Sequence, residues 1–251
     1  MKKKIIPVLF LILIPVSLFA QQNNPTIPFP KIGIDLGTAS KPEDVSVTLQ
    51  ILLLLTVLSL APSILIMTTC YLRLIISFHF LKSALGTQQM PPGQLLAGIA
   101  LFITFFIMAP TWNKVNTVAL KPLMNGNISM EEAYDKGIEP IREFMFKQVR
   151  DEDLSLFVGL ANLKRPDKRE DLPTYVLVPA FALSELRAGF IIGFFLYVPF
   201  IMVDMIISSI LMSMGMMMLP PMLISLPFKI LLFVLVDGWN LIVGSLVRSF
   251  S

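Results

Sequence analysis

Long stretches without a charged residue constrain this sequence more than any other feature. No charge occurs between Asp44 and Arg73, and none occurs between Lys82 and Lys114. A membrane-spanning helix needs about 20 predominantly apolar residues, so each stretch is long enough to cross a bilayer. The chain of 251 residues is 55% hydrophobic and 15% charged, whereas soluble domains average about 25% charged residues. We therefore expect a membrane protein and exclude an ordinary soluble enzyme, a disordered chain and a coiled coil.

The first residues carry the pattern of a secretory signal. Three lysines precede an apolar run, and Ser17 and Ala20 then supply small residues at the −3 and −1 positions of a cleavage site. We predict a signal peptide at 1–20, cleaved between Ala20 and Gln21, followed by an exported arm at 21–44. The alternative is an uncleaved first transmembrane helix, but the apolar run is shorter than the ~20 residues that a span requires.

The rest of the chain consists of two apolar regions separated by a charged one. We predict a hydrophobic helical hairpin at 45–112, a small helical domain at 113–175 and a second hydrophobic hairpin at 176–251. The middle region contains ten Lys/Arg and eleven Asp/Glu, in patterns typical of amphipathic helices. Because short positive loops stay in the cytoplasm, the link at 73–94 places the charged domain on the periplasmic side. No segment alternates as a strand does, so the fold class is all-α, multi-pass membrane protein.

A methionine-rich loop divides the second hairpin into apolar segments at about 177–211 and 226–247. Six of the 15 methionines fall within residues 212–222, which we call the methionine loop. Gly215 and the following prolines disfavour a continuous helix there. Methionine side chains are flexible and polarizable, so a ring of such loops could close a pore against ions and still deform around a polypeptide. The alternative is that the methionines fill a turn that faces lipid.

Five ionisable residues lie in the apolar surroundings of the second hairpin, where a charge needs a partner or a wet cavity. Asp204 and Lys229 are equidistant along the chain from the middle of the methionine loop. Antiparallel helices would place them at similar depth, so we predict an Asp204–Lys229 pair, within the hairpin or between copies. Such a pair should survive exchange of its two charges. Lys229 and Asp237 should share a helix face, whereas Glu185 and Arg187 should need separate partners. Structural pairing is favoured over a proton relay.

Two segments carry small residues four positions apart, a spacing that lets helices approach closely. These are Gly93 with Ala97, next to Gly98, and Gly189 with Gly193. The pattern is common by chance, but it fits helices that pack against protein as well as lipid.

Residues for catalysis or metal binding are scarce. Cys70 and His79 are each the only residue of their type, which excludes an intramolecular disulfide and leaves no Ser-His-Asp or Cys-His set. No phosphate-binding loop is present, and a net charge of +3 does not indicate a nucleic-acid partner. We expect no enzyme activity, no cofactor and no metal. An embedded enzyme using Asp204 or Glu185 would lack a nucleophile and a base.

Several blocks resemble the FliP family of export-gate proteins. They are Ala84–Gln94, Ala100–Met108, Val178–Arg187 and Leu211–Phe250, the last of which includes the Asp-Gly-Trp-Asn sequence that begins at Asp237. The Gly-Thr-Gln-Gln-Met-Pro-Pro sequence that begins at Gly86 is similar to the flagellar proteins rather than to the related injectisome protein SctR. The N-terminal arm and parts of 113–175 do not contribute to the resemblance.

The resemblance implies a subunit of the flagellar type III secretion export gate, located in the inner membrane at the flagellar basal body. It implies about five copies assembled with FliQ and FliR, associated with FlhA and FlhB, and passing unfolded flagellar proteins. It also places the family's methionine constriction at Met216, Met217 and Met218. The alternatives are an injectisome-type gate subunit and a small ion or solute channel, for which the chain offers few polar pore-lining groups.

Overall fold

The computed structural model describes residues 42–87, 90–163, 169–216 and 218–250. The chain divides into two units at Ile51 and Leu52. In the first unit, the described residues 42–51 are helical. The second unit contains the core and the contacts of the described site residues.

Every described secondary-structure element is helical, which confirms the all-α prediction. The first elements are α1 (Pro42–Thr68), α2 (Tyr71–Leu85), α3 (Gly93–Val115), a π-helical turn (Asn116–Leu120) and α4 (Lys121–Met124). The later ones are α5 (Met130–Gln148), α6 (Asp151–Leu160), a 3₁₀ turn (Arg169–Asp171), α7 (Thr174–Ser213), α8 (Pro221–Leu235) and α9 (Gly238–Arg248).

Three stretches of helix in the described part are long and apolar enough to cross a membrane. They are Leu49–Thr68, Gly93–Met124 and Thr174–Ser213, and the bent pair α8–α9 makes a fourth if it counts as one span. These helices confirm the multi-pass class, because such lengths of apolar surface are stable only in lipid or against other apolar helices.

The prediction of a short positive loop at 73–94 is wrong, because most of this segment forms the buried helix α2. Leu74, Phe78, Leu81 and Leu85 point into the core at the spacing of one helix face. Helix α2 packs most extensively against α7. Arg73 and Lys82 interrupted the apolar pattern and suggested exposure, but Arg73 is buried because the fold supplies it with partners.

Helix α7 is longer than one span and runs without a break through Pro179 and Pro199. A proline inside a helix usually kinks or ends it, but α7 continues through both positions. Proline is tolerated in apolar helices when neighbouring helices support the freed carbonyls. Close packing is visible at Gly193, where a Cβ atom would come within 2.8 Å of the Phe80 Cβ.

The segment predicted at 226–247 is a broken helix. Helices α8 and α9 meet at an angle of 63°, and Asp237 between them has φ +49°. Aspartate is one of the few residues that tolerate this left-handed conformation. A side chain at Gly238 would collide with the Phe233 ring. Because of this break, the expected common helix face of Lys229 and Asp237 does not exist.

The charged region contains amphipathic helices, as its pattern indicates. Helix α5 begins after a side-chain cap, in which Ser129 Oγ accepts a hydrogen bond from the Glu132 amide at 3.2 Å. The buried Arg142 donates to Thr174 Oγ1 at 2.6 Å and to the Leu172 carbonyl at 2.7 Å. These bonds fix the entry of the chain into α7 against α5.

Candidate functional site

The methionine loop joins α7 to α8 through a compact helix ending. The Met216 amide donates to the Leu211 carbonyl at 3.0 Å, and the Gly215 amide donates to the Met212 carbonyl at 3.0 Å. This is the Schellman ending of a helix, which needs a left-handed residue after the cap, and Gly215 supplies it with φ +74°. Pro221 then begins α8, since proline suits the first helical position.

The methionine side chains of this loop that the structure describes are exposed. Met218 is 99% exposed and Met216 is 41% exposed, and Met212, Met214 and Met222 are also exposed. Met217, the remaining residue of the predicted constriction, lies outside the described residues. The loop therefore presents flexible apolar side chains that require lipid or protein partners to leave water.

Asp204 and Lys229 form the predicted pair within the hairpin of α7 and α8. Lys229 Nζ lies 2.6 Å from Asp204 Oδ2, and Ser225 Oγ donates to Asp204 Oδ1 at 2.5 Å. Lys229 Nζ also donates to the Ala84 carbonyl of α2 at 3.1 Å. Both carboxylate oxygens thus have donors, as a charge in apolar surroundings requires.

Glu185 finds its partner outside the hairpin, on α2. The Glu185 side chain is 0% exposed and accepts from Arg73 through both oxygens, with Arg73 Nε 3.0 Å from Oε2 and Nη2 bonded to Oε1. A planar guanidinium matches a carboxylate in this two-bond arrangement.

The remaining Arg73 donors reach two other parts of the chain. Nη1 donates to the Ser249 carbonyl at 3.0 Å and to Ser249 Oγ at 3.1 Å, and Nη2 donates to Gln148 Oε1 at 3.0 Å. The Phe250 ring covers the guanidinium at 3.8 Å. All five N–H donors of Arg73 are therefore used, and they join α2, α5 and α7 to the residues that follow α9.

The other predicted charges stay apart from these clusters. Arg187 is exposed and has no ion-pair partner in the described ranges. Asp237 is exposed at the α8–α9 break and accepts a hydrogen bond from Asn240 Nδ2 at 3.2 Å. The predicted cleavage site, Ala20 and Gln21, lies outside the described residues.

Sequence reasoning missed Arg73, Ser225 and the Ala84 carbonyl. One signal for Arg73 was available, because it is the only charged residue between Asp44 and Lys82 and has the opposite sign to the isolated Glu185. No signal identifies a backbone acceptor such as the Ala84 carbonyl, which depends on how α8 packs against α2.

Titration behaviour is shifted at two groups outside the spans. Hydrogen bonds from Lys114 and Lys147 lower the pKa of Glu143 to about 2. Burial raises the pKa of the Cys70 thiol to about 12, so this cysteine is a neutral core residue at physiological pH. Within the described ranges, no three His, Cys, Asp or Glu side chains group as a metal site would require.

Comparison with known proteins gives consistent matches over most of the chain. The chain is 57% identical over 217 residues to the flagellar biosynthetic protein FliP of Bacillus subtilis (strain 168), covering 86% of this chain and 98% of that protein. It is 50% identical over 230 residues to the protein of the same name from Treponema pallidum (strain Nichols), covering 91% and 85%. The match to the FliP of Caulobacter vibrioides is 46% identity over 220 residues, covering 88% and 82%.

The model of the FliP family matches residues 54–246. This range includes α2, with Arg73 and Ala84, and it includes α7, the methionine loop, α8 and most of α9. Membership is therefore supported by the core and by the candidate site together, and the chain belongs to the FliP family.

Proposed function

We propose that this chain is a membrane subunit of the flagellar protein-export gate, in which the methionine loop closes the pore. The relatives' shared name, flagellar biosynthetic protein, supports a role in building the flagellum. It also favours the flagellar over the injectisome alternative. The observation that carries the proposed seal is the loop itself, which presents Met216 and the fully exposed Met218 at the end of an apolar hairpin.

The mechanism of the seal is passive. Several copies, about five by family resemblance, bring their methionine loops together, and the flexible side chains pack into a plug that excludes water and ions. An unfolded export substrate displaces the side chains without breaking covalent or ionic bonds. FliQ and FliR complete the pore in this proposal, FlhA and FlhB associate with it, and the energy for transport comes from other components.

The seal is tested by replacing Met216, Met217 and Met218 together with alanine, which keeps the loop length. Membranes containing the assembled complex should then conduct small ions, while native mass spectrometry still shows a multi-copy complex. Met205→Ala is the matched control, because this exposed methionine lies on α7, outside the methionine loop. Unchanged conductance in the triple variant would contradict the seal.

We propose that residues 113–175 lie in the periplasm. We also propose that the mature chain starts at Gln21. Intact mass tests the cleavage, since a chain starting at Met1 would refute it. Tyr134 is exposed on α5, so Tyr134→Cys should react with a membrane-impermeant maleimide in intact spheroplasts. The native Cys70 is buried and gives little background. Labelling only after lysis would reverse the orientation.

A further inference from the structure

We propose that Lys229 positions the methionine loop by fastening α8 to the carboxyl end of α2, so that the loop is held by three helices rather than by one interhelical ion pair. This inference rests on the function proposed for the loop. It concerns how the loop is held in place, which is separate from whether the methionines exclude ions.

The contacts of Lys229 carry the proposal. Its ammonium is 2.6 Å from Asp204 Oδ2 on α7 and 3.1 Å from the Ala84 carbonyl on α2, and the residue is 3% exposed. Ser225, one turn before Lys229 on α8, donates to the other Asp204 oxygen. The first three turns of α8, which directly follow the methionine loop, are thus bonded to both α7 and α2.

The carboxyl end of α2 is suited to receive a cation. The last carbonyls of a helix lack partners within the helix and carry the negative end of its dipole. Gly86 ends α2 in the left-handed conformation, with φ +74°, and a Cβ atom there would lie 3.7 Å from Lys229 Nζ. The ammonium therefore caps α2 while it neutralises Asp204.

Helix α2 is a fixed support for this contact. It lies in the core with most of its length against α7, and Arg73 near its other end is bonded to Glu185, Gln148 and Ser249. A loop fastened to α2 is therefore held relative to the core of the subunit. A pair between α7 and α8 alone would fix the two arms of the hairpin only to each other.

The two arrangements differ in their response to charge exchange. A simple pair would be restored by combining Asp204→Lys with Lys229→Asp. The structure predicts that this double variant fails, because a carboxylate at position 229 cannot donate a hydrogen bond, so the Ala84 carbonyl loses its contact with α8. Asp204→Lys would also remove the carboxylate oxygen that accepts the hydrogen bond from Ser225.

The experiment measures the position of the loop in the assembled export complex. Spin labels are attached to Ser83→Cys on the exposed side of α2 and to Met222→Cys at the exposed start of α8. The distribution of distances between the two labels is measured by pulsed electron paramagnetic resonance. Intact mass should show two labels per chain, because the buried Cys70 stays unmodified. Lys229→Met keeps an unbranched side chain of nearly the same length and removes its charge. Arg187→Met is the matched control at an exposed cation of the same hairpin.

Lys229→Met should broaden the distance distribution about twofold, since a segment that loses its anchoring contacts opens locally. The double exchange should stay equally broad, whereas Arg187→Met should match the wild type. Restoration of the narrow distribution by the double exchange would overturn the proposal in favour of a simple pair. If Lys229→Met does not accumulate, Gly86→Ala disturbs the left-handed turn that presents the Ala84 carbonyl and leaves every charge in place. It should give the same broadening, and an unchanged distribution would contradict the proposal.

Conductance of the corresponding complexes without the labelling substitutions separates this inference from the proposed function. Ion leakage in the methionine-to-alanine variant with unchanged distances in Lys229→Met would leave the seal standing and refute the positioning. Broadened distances in Lys229→Met without leakage in the methionine variant would support the positioning and refute the seal.

Discussion

Each end of α2 contacts an ion pair, and the two pairs differ in construction. Near the start of the helix, Arg73 is buried and pairs with Glu185, which is completely enclosed. At its other end, the Ala84 carbonyl receives Lys229, whose partner Asp204 has a side chain that is 26% exposed. Both pairs connect α2 to the second hydrophobic hairpin, but only the second also involves the helix that follows the methionine loop.

The two pairs differ in how many hydrogen bonds the basic residue donates. Arg73 uses all five N–H groups and has the Phe250 ring against its plane. Such a cluster can hardly rearrange without leaving a buried charge unpaired. Lys229 bonds to two acceptors through a flexible stem, and a single shift of α8 would release both. The comparison indicates that Arg73 is the more firmly held contact, whereas the two bonds of Lys229 depend on the position of α8 alone.

The largest effect is expected from Arg73→Met, which removes the buried ion pair with Glu185 near the start of α2. Removing one member of a buried pair leaves the Glu185 charge without compensation and should cost about 3–5 kcal/mol of unfolding free energy. Thermal unfolding of the purified chain in detergent, followed by circular dichroism, measures the loss.

Two further variants separate charge from geometry at this site. Arg187→Met removes an exposed arginine and should stay within about 0.5 kcal/mol of the wild type. Arg73→Lys keeps the charge and loses the planar donor set, so it should also be destabilised. Wild-type stability of Arg73→Lys would show that the five-donor geometry is unimportant.

The second effect concerns the close approach of α2 and α7 that brings Arg73 to Glu185. Gly193→Ala would force a methyl group into Phe80 and should cost about 1–3 kcal/mol, as overpacking in a core does. Gly98→Ala is the matched control, because a Cβ atom there meets nothing within 4 Å. The control should be neutral or gain up to about 1 kcal/mol from helix propensity. Equal melting temperatures for the two variants would contradict this account of the α2–α7 contact.

A smaller effect is expected from Ser225→Ala, beside the Asp204–Lys229 pair. The buried hydroxyl donates to Asp204, and its loss should cost about 1 kcal/mol while the Asp204–Lys229 pair remains. Ser209→Ala removes an exposed hydroxyl whose one bond within the described part of the chain is to the Met205 carbonyl of its own helix, so it should change little. The melting temperatures of the two variants in one detergent test this difference.

The smallest effect is expected at Glu143, which forms exposed ion pairs. It tests whether an exposed pair contributes less to stability than the buried pairs at α2. Lys114 and Lys147 each lie 2.8 Å from this carboxylate and lower its pKa from 4.5 to about 2. Its contribution to stability is therefore present above pH 4.5 and is lost as the pH falls towards 2. Because the group is exposed, Glu143→Gln should cost only about 0.5 kcal/mol at neutral pH.

High salt should reduce the Glu143→Gln difference further, because screening weakens exposed pairs. Asp135→Asn is the control, since this exposed acid on α5 has no ion pair in the described ranges. Stability curves against pH for wild type and both variants decide the matter. A difference between wild type and Glu143→Gln that persists at pH 2 would contradict the assignment.

The candidate site shows how far sequence reasoning extends. The Asp204–Lys229 pair followed from equal spacing around the methionine loop, because an antiparallel hairpin converts chain distance into depth. The Ala84 contact did not follow, since it involves a backbone oxygen brought close by a third helix. Glu185 was recognised as needing a partner, but the choice of Arg73 depended on α2 being buried.

The sequence by itself determined the class of this protein. Charge-free stretches specify apolar helices, the methionine-rich turn with glycine and proline specifies the end of a hairpin, and five isolated charges specify paired ions. Each of these features depends on neighbours along the chain or on the helical period. Only the tertiary structure decided that α2 is a buried helix, that α8 and α9 are separate, and which charges meet. Those outcomes depend on packing between residues far apart in the chain, where a backbone carbonyl or a Phe233 ring counts as much as any side-chain charge and has no signature in the local sequence.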